Sequence, residues 1–436
     1  MSQSTSSSLA WNGSFTQETL ASQLEPKRQQ GIIKSIGQSL LGGYQQLMTQ
    51  SAWGNRTANP ENSQSSVAVT IDQVGENVDS AECVCECVSI KQRGRQVLTA
   101  VRTADHQLNL ISWRVNADGS VVRTGASGPQ PGRVTQIALA RARKFVTAIR
   151  TATHQLQLIS WDVSNTGAIY RAGASDAAPD KTSAKGIGEA SDDVSKVKLV
   201  ALNDSLLITA CTTRTGQLKL ISWRLNDNDS LTRLHEYTDA GEMVRELVPL
   251  VLPASENGLH FLVAARTQNN RLKLQMCDVA PTGEIAANGD SISSEEKISQ
   301  FDAVLDAAGG LITSLRTANN RLKLVAWAVT PRTQRIQRLM DSGNQGQPIR
   351  QHALMRCADQ MMTAVQTASG AFKLIAWAIP ASTLLAGQIM HVGESASQST
   401  TGTLSGLCRE ALDGNAPIMT SEVTAEGTLK LMTWRA

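Results

Sequence analysis

The sequence is poor in most of what active sites and membrane anchors are built from. Its 436 residues include six histidines, five phenylalanines and three tyrosines, and aromatics make up only 4%. A net charge of +3 is too near neutral at this length to argue for nucleic acid or an anionic membrane as a partner. No apolar run is long enough to span a bilayer, and the opening Met-Ser-Gln-Ser-Thr-Ser has neither a basic n-region nor an apolar h-region. That start predicts a cytoplasmic protein, or one exported without a cleaved signal peptide. Gly-x-Ser-x-Gly, phosphate-loop and zinc-protease motifs are missing, and no carboxylate pair stands out, so no catalytic residue is assigned. The stretch from Gly186 to Ser191 mimics part of a dinucleotide fingerprint, but no helical pattern follows it. Seven cysteines, an odd count, lie mostly in strand-like sequence and read as buried thiols. Cys83, Cys85 and Cys87 alternate, which predicts that all three share one side of a strand, about 6.5–7 Å apart. Thiolates so spaced do not converge on a zinc ion. No metal and no cofactor is expected.

What the chain does contain is one sixteen-residue phrase, repeated. It occupies 98–113, 146–161, 208–223, 262–277, 312–327, 362–377 and 419–434 without a gap. Each copy brackets a polar break with two short apolar runs. The break reads Ala-Asp-His at 104–106, Ala-Asn-Asn at 318–320 and Ala-Ser-Gly at 368–370. Asn, Asp and Gly tolerate the left-handed backbone of short hairpin turns, and no run reaches helical length. Each copy is therefore predicted to be a hairpin. Apolar residues on both of its faces place it between neighbouring sheets. The copies end 48 to 62 residues apart, about one four-stranded blade plus loops. The fold class that follows is all-β, a seven-bladed β-propeller over 65–436, each blade adding an inner and an outer strand to the hairpin.

Residues 1–64 differ in composition. An apolar stripe of Ile33, Ile36, Leu40, Tyr44 and Leu47 predicts an amphipathic helix over about 25–50, followed by a linker. Such a helix docks on the propeller or mediates self-association. A polar face with only Lys27, Arg28 and Lys34 argues against membrane contact. A lone strand is predicted over 67–75. Its Ile71-Asp-Gln-Val-Gly-Glu76 echoes Ile389-Met-His-Val-Gly-Glu394 at the end of the sixth unit. The seventh unit has no outer strand of its own. The lone strand is therefore expected to complete it, with Val69 and Ile71 alongside Leu429 and Leu431.

Three recurrent positions were weighed as sites. The Trp at 113, 161, 223, 327, 377 and 434 reads as a packing residue, because one Trp per blade at one position is what packing demands. Arg102, Arg150, Arg266 and Arg316 share another position. Strand geometry sets Arg102 about 17 Å from the residue opposite Trp113, which argues against an Arg–Trp pocket within a blade. The arginines are expected to bond carbonyls or a carboxylate of the adjacent blade. The turn residues Asp105, His106, His154, Asn269, Asn270, Asn319 and Asn320 are the candidate ligand-binding residues.

The phrase Thr-Ala-x-Arg-Thr…Leu-Lys-Leu-Ile-x-Trp resembles that of uncharacterised bacterial β-propellers. It lacks the Gly-His and Trp-Asp marks of WD40 blades and the Asp-box of sialidase-type propellers. The resemblance implies an architecture and no particular chemistry. The expected function is a non-enzymatic binding scaffold that meets a protein partner or a glycan on the turn face. The alternatives are a lectin and, in another class, a lyase or hydrolase with its site at the central mouth.

Overall fold

The computed structural model describes residues 69–79, 83–175, 194–254, 258–287, 291–357, 360–380, 388–399, 402–407 and 418–436. The segment 1–64, with its expected helix, lies outside them. Among the described residues every strand pairing is antiparallel, the isolated bridge from Ile71 to Ser395 is parallel, and one 3-10 turn, Pro331–Thr333, is the only helical element.

All seven copies of the phrase are hairpins. In the first, Gln96–Thr103 pairs with Leu108–Val115, and Val97 lies opposite Trp113. An inner strand precedes each hairpin and an outer strand follows each of the first six, as in Val84–Lys91 and Val121–Ala126 of the first unit. The strand Ser291–Leu305 serves two units. Its first half pairs with Arg271–Val279 as an outer strand, and its second half pairs with Leu311–Thr317 as an inner one. The unit that receives the first half is the degenerate fourth, whose outer pairing begins with the two-residue strand Ile285–Ala286.

The core lies between sheets. One cluster joins Leu98, Leu108 and Leu110 to Ile137, Ile149 and Trp161 of the next unit. Others repeat this along the chain, and another joins Met419, Leu429 and Leu431 to Val97, Val101 and Trp113. Burial of the hairpins on both faces follows directly from this arrangement.

The six tryptophans that end the phrase are 0–3% exposed. Each indole N–H donates to a threonine hydroxyl fourteen residues earlier: Trp113 to Thr99, Trp161 to Thr147, Trp223 to Thr209, Trp327 to Thr313, Trp377 to Thr363 and Trp434 to Thr420, at 2.9–3.1 Å. The register explains the pairing. The residue facing the Trp lies two positions before the Thr, on the same face of the neighbouring strand. The fourth copy has Cys277 for Trp and Val263 for Thr. Both partners have changed together, so neither is left buried and unpaired.

Two register expectations need correcting. The strand that pairs with Leu429–Arg435 is Asp72–Asp79, with Gln73 opposite Trp434 and Asn77 opposite Leu431. Val69 and Ile71 do not lie alongside Leu431 and Leu429. Val69 donates its N–H to the Val392 carbonyl and Ile71 bridges Ser395. The echo holds, because Gln73 faces its Trp as His391 faces Trp377. Ile71, like Ile389, is the buried anchor before the paired segment, and the strand runs on from there.

The three alternating cysteines are also not equivalent. Cys87 is buried, whereas Cys83 and Cys85 are exposed. A bulge between Val84 and Glu86 shifts the register. One extra residue breaks the two-residue period. The same bulge recurs at Val134/Gln136, Val194/Lys196, Val244/Glu246, Ile298/Gln300 and Ile349/Gln351.

Candidate functional site

Each hairpin turn has three residues closed by a fixed set of bonds. In the first, the Thr103 N–H donates to the Gln107 carbonyl and the His106 N–H to the Thr103 carbonyl, both at 2.9 Å. The Thr103 hydroxyl accepts the Gln107 N–H at 3.1 Å. All seven turns repeat that threonine bond, through Thr151, Thr213, Thr267, Thr317, Thr367 and Thr424. This is the three-residue hairpin whose last turn residue is left-handed. That residue has φ of 62° at His106, 64° at His154, 60° at Asn270 and 57° at Asn320, and is glycine in the other three turns.

A turn with a side chain at this position carries Arg102, Arg150, Arg266 or Arg316 four residues earlier. Turns with glycine there have Thr212, Gln366 or Val423 instead. Arg266 Nη1 donates to Asn270 Oδ1 at 2.7 Å, and Arg102 and Arg150 reach His106 and His154 Nδ1. A left-handed L-residue costs about 1–2 kcal/mol, and the arginine bond offsets part of that. Four of the seven candidate residues, His106, His154, Asn270 and Asn320, thus sit at the strained place in the turn.

The turn also anchors the next unit. The His106 carbonyl accepts the Val134 N–H at 2.6 Å, and His154, Gly216, Asn270 and Asn320 do the same for Val194, Val244, Ile298 and Ile349. Asp105, Asn269 and Asn319, the middle turn residues, are exposed. Asn269 Nδ2 donates to Glu242 Oε1 at 2.8 Å. The seven candidates therefore share one end of the sheets, and four of them, His106, His154, Asn270 and Asn320, are tied through their carbonyls to the next unit.

The arginines meet closer partners than expected. Arg102 pairs at 3.2 Å with Glu86, and Arg266 at 2.8 Å with Glu246, each on the inner strand of its own unit. Register sets these residues directly opposite. Arg316 alone crosses to the adjacent unit, where Nη1 donates to the Arg350 carbonyl. Burial raises the pKa of the Glu86 carboxyl against the hydrogen bond and charge of Arg102. No group of three or more metal-capable side chains converges among the described residues.

One cleft, of about 60 Å³, opens between the 298–341 and 349–394 sheets. Leu322, Ile349, Val365 and Ile375 line it above Trp377, and Gln345, Gln347, Lys373, His391 and Glu394 supply its polar groups. Lys373 and Glu394 are paired at 2.6 Å. A cavity of about 150 Å³ takes a benzene, so this one admits part of a ring at most. Sequence reasoning missed it, because its residues come from four separate segments and only Trp377 belongs to a recurrent position singled out beforehand.

No protein-family model matches the sequence, and no curated protein matches it. Similar solved structures include the SapL1 lectin in complex with alpha methyl fucoside, with 13% identity, 71% of this chain and 96% of that chain covered, and a TM-score of 0.44. Another is the periplasmic gluconolactonase PpgL of Pseudomonas aeruginosa, with 12% identity, 77% and 96% coverage, and a TM-score of 0.50. Both are propellers, and the second likeness supports a β-propeller fold for this chain.

Proposed function

We propose that the chain is a seven-bladed, non-enzymatic propeller that presents its hairpin turns to a protein partner, with the strand Asp72–Asp79 completing the last blade. One observation carries the reading. The turn frame is constant while its middle side chain varies, as Asp105, Thr153, Thr215, Asn269, Asn319, Ser369 and Glu426. A fixed backbone with changeable side chains is the arrangement of a recognition surface. The blade count rests on the seven hairpins and on core clusters shared by successive sheets, the last joining 419–431 to 84–121.

A photo-crosslinking residue at Asn269 or Asn319 tests this against one at Asp204, an exposed residue at the opposite end of a hairpin. Crosslinks to a discrete partner from the turn positions alone support the reading. Crosslinks from Asp204 alone overturn it.

A second reading, a lectin, rests on the cleft above Trp377, where amide, carboxylate and ammonium groups surround an apolar floor that takes the edge of one ring. Hydroxyl-rich ligands with one apolar face suit such a lining. A glycan array decides it: binding that K373A/E394A removes supports the lectin, and silence at high glycan density rules it out.

A further inference from the structure

The start of an inner strand is stitched between two hairpin turns, and the stitches fix where its side chains stand. The Ile298 N–H donates to the Asn270 carbonyl at 2.7 Å, and the carbonyl of Lys297 accepts the Ala318 N–H at 3.1 Å. Lys297 therefore sits between the turns 268–270 and 318–320. One seam later, the Ile349 N–H donates to the Asn320 carbonyl at 2.8 Å and the Pro348 carbonyl accepts the Ala368 N–H at 2.9 Å. That sets Arg350 between the turns 318–320 and 368–370. One seam earlier, the Val244 N–H donates to the Gly216 carbonyl at 2.7 Å and the Met243 carbonyl accepts the Gln268 N–H at 2.7 Å. That sets Arg245 between the turns 214–216 and 268–270. Arg245 and Arg350 are each the extra residue of the recurrent bulge. All three cations are exposed, and none has an ion pair among the described residues.

The charges around these turns leave the arc positive. Arg271 and Arg321 are exposed, each directly after a turn. Glu246 is taken by Arg266 at 2.8 Å and Glu296 by Lys323 at 3.1 Å, and Glu242 accepts Asn269 Nδ2 at 2.8 Å, while Glu295 is exposed. The seam that opens the first unit has the opposite character. There the Val84 N–H donates to the Gly427 carbonyl at 2.5 Å and the Cys83 carbonyl accepts the Ala104 N–H at 2.7 Å. Cys83 stands in the place of Lys297, and Cys85 in the place of Arg245 and Arg350. The two turns joined by that seam carry exposed Asp105 and Glu426. The turn end is thus basic over three consecutive seams and acidic over this one.

We infer that the arc of Arg245, Lys297 and Arg350 receives an extended acidic segment of a protein partner, laid across the three seams. The inference rests on the turn face being the binding surface and names the chemistry of what that face meets. Packed sheets stand about 10 Å apart and an extended chain advances about 3.3 Å per residue, so an acid at every third position meets each cation in turn. Complementary charge of this kind sets approach and register more than raw affinity. Asn319, in the turn between Lys297 and Arg350, offers an exposed amide to the backbone of the segment. Among the described residues no exposed aromatic side chain stands at these turns, so a nucleic-acid strand would lack a stacking platform.

The test is fluorescence anisotropy of the full chain with three labelled probes: a peptide of about ten residues with Glu at every third position and Ser between, its Gln counterpart, and a single-stranded oligonucleotide of similar charge. The Glu peptide should bind and the Gln peptide should not. The triple variant Arg245→Gln, Lys297→Gln, Arg350→Gln should weaken binding about 10- to 100-fold, since each exposed charge pair contributes about two- to fivefold. The triple variant Arg93→Gln, Arg332→Gln, Arg335→Gln makes the same charge change at the opposite end of the sheets and should stay within about twofold. Equal losses in the two triples, no binding of the Glu peptide, or tighter binding of the oligonucleotide would overturn the inference. If the first triple fails to fold, the singles decide: Lys297→Gln should weaken binding about two- to fivefold and Lys297→Arg should not. A partner crosslinked from Asn269, with capture unchanged in the triple, would sink the acidic segment and leave the turn-face reading standing. Peptide binding lost in the triple, with nothing crosslinked from Asn269 or Asn319, would do the reverse.

Discussion

Replacing Thr147 by Val isolates the indole–threonine bond that recurs in six of the seven hairpins. Valine has threonine's shape, so the packing around Trp161 is kept and only the hydroxyl is lost. Thr147 and Trp161 are 0% and 1% exposed, and no water can reach the indole N–H in its place. An orphaned buried donor costs about 1–3 kcal/mol. Unfolding entropy of about 2.1 cal/mol/K per residue over 69–436 comes to about 0.8 kcal/mol per degree, so the thermal midpoint should fall by about 1–4 °C. Urea unfolding followed by tryptophan fluorescence gives the same quantity without the thermal extrapolation. The reverse change in the fourth unit, Val263→Thr, should also destabilise, because Cys277 gives the new hydroxyl a poor partner. A Thr147→Val cost below about 0.3 kcal/mol would refute the reasoning. The joint replacement of Thr by Val263 and Trp by Cys277 would then be coincidence.

Gly125→Ala should destabilise by more than about 2 kcal/mol, because its Cβ would overlap the Gly167 carbonyl of the next unit; Gly75→Ala should do the same against Gly119. Urea midpoints report both, and a neutral result would mean that these backbones are not in contact. Burial raises the pKa of the Glu422 carboxyl, against the Gly402 N–H and the charge of Lys430. Its contribution to stability is therefore full below the unfolded value of about 4.3 and is lost as pH rises through the higher folded value. Glu422→Gln keeps the 3.0 Å bond from Gly402 and should raise stability at pH 7, a gain that disappears below about pH 4. Burial lowers the pKa of His352, so its contribution is full above the unfolded value of about 6.5 and is lost as pH falls through the lower folded value. His352→Gln should flatten that loss in unfolding curves followed as pH falls below about 6.5. Burial pushes the Cys277 thiol up to about 12, so iodoacetamide should alkylate exposed Cys83 and Cys85 long before it in the native protein, as peptide mass spectrometry would show.

The hairpins were legible because their cause is local. Two apolar runs around a turn signal need no distant partner to be read. The structural role of the tryptophans was legible too, but the threonine that holds each one was overlooked. Its signal was present, since Thr occupies the second place of the phrase in the six copies that end in Trp. The misplaced strand arose from aligning its middle with the hairpin, when the echo with 389–394 already marked Ile71 as the anchor before the pairing. The cysteines and two of the arginines, Arg102 and Arg266, were misjudged for one shared reason. A bulge at the head of each inner strand shifts the period by one residue and brings Glu86 and Glu246 opposite Arg102 and Arg266. Bulges leave little trace in a single sequence, because they depend on how the next sheet seats against the strand.

The same geometry divides the seven expected binding residues. The last turn position answers to the backbone: it must be left-handed, it hands its carbonyl to the next unit, and where it is not glycine it comes with an arginine. His106, His154, Asn270 and Asn320 are therefore constrained by folding whatever the protein binds. The middle position carries no such duty. Its residue varies from acid to amide to hydroxyl, and Asp105 and Asn319 project from it into solvent. Selection for a partner can act there without disturbing the frame, so Asp105, Asn269 and Asn319 are where recognition should be sought. A Asp105→Ala/Asn319→Ala double substitution should leave the urea midpoint within about 0.5 kcal/mol of the parent while weakening capture by the partner. The opposite pattern, lost stability with capture unchanged, would return these residues to the scaffold.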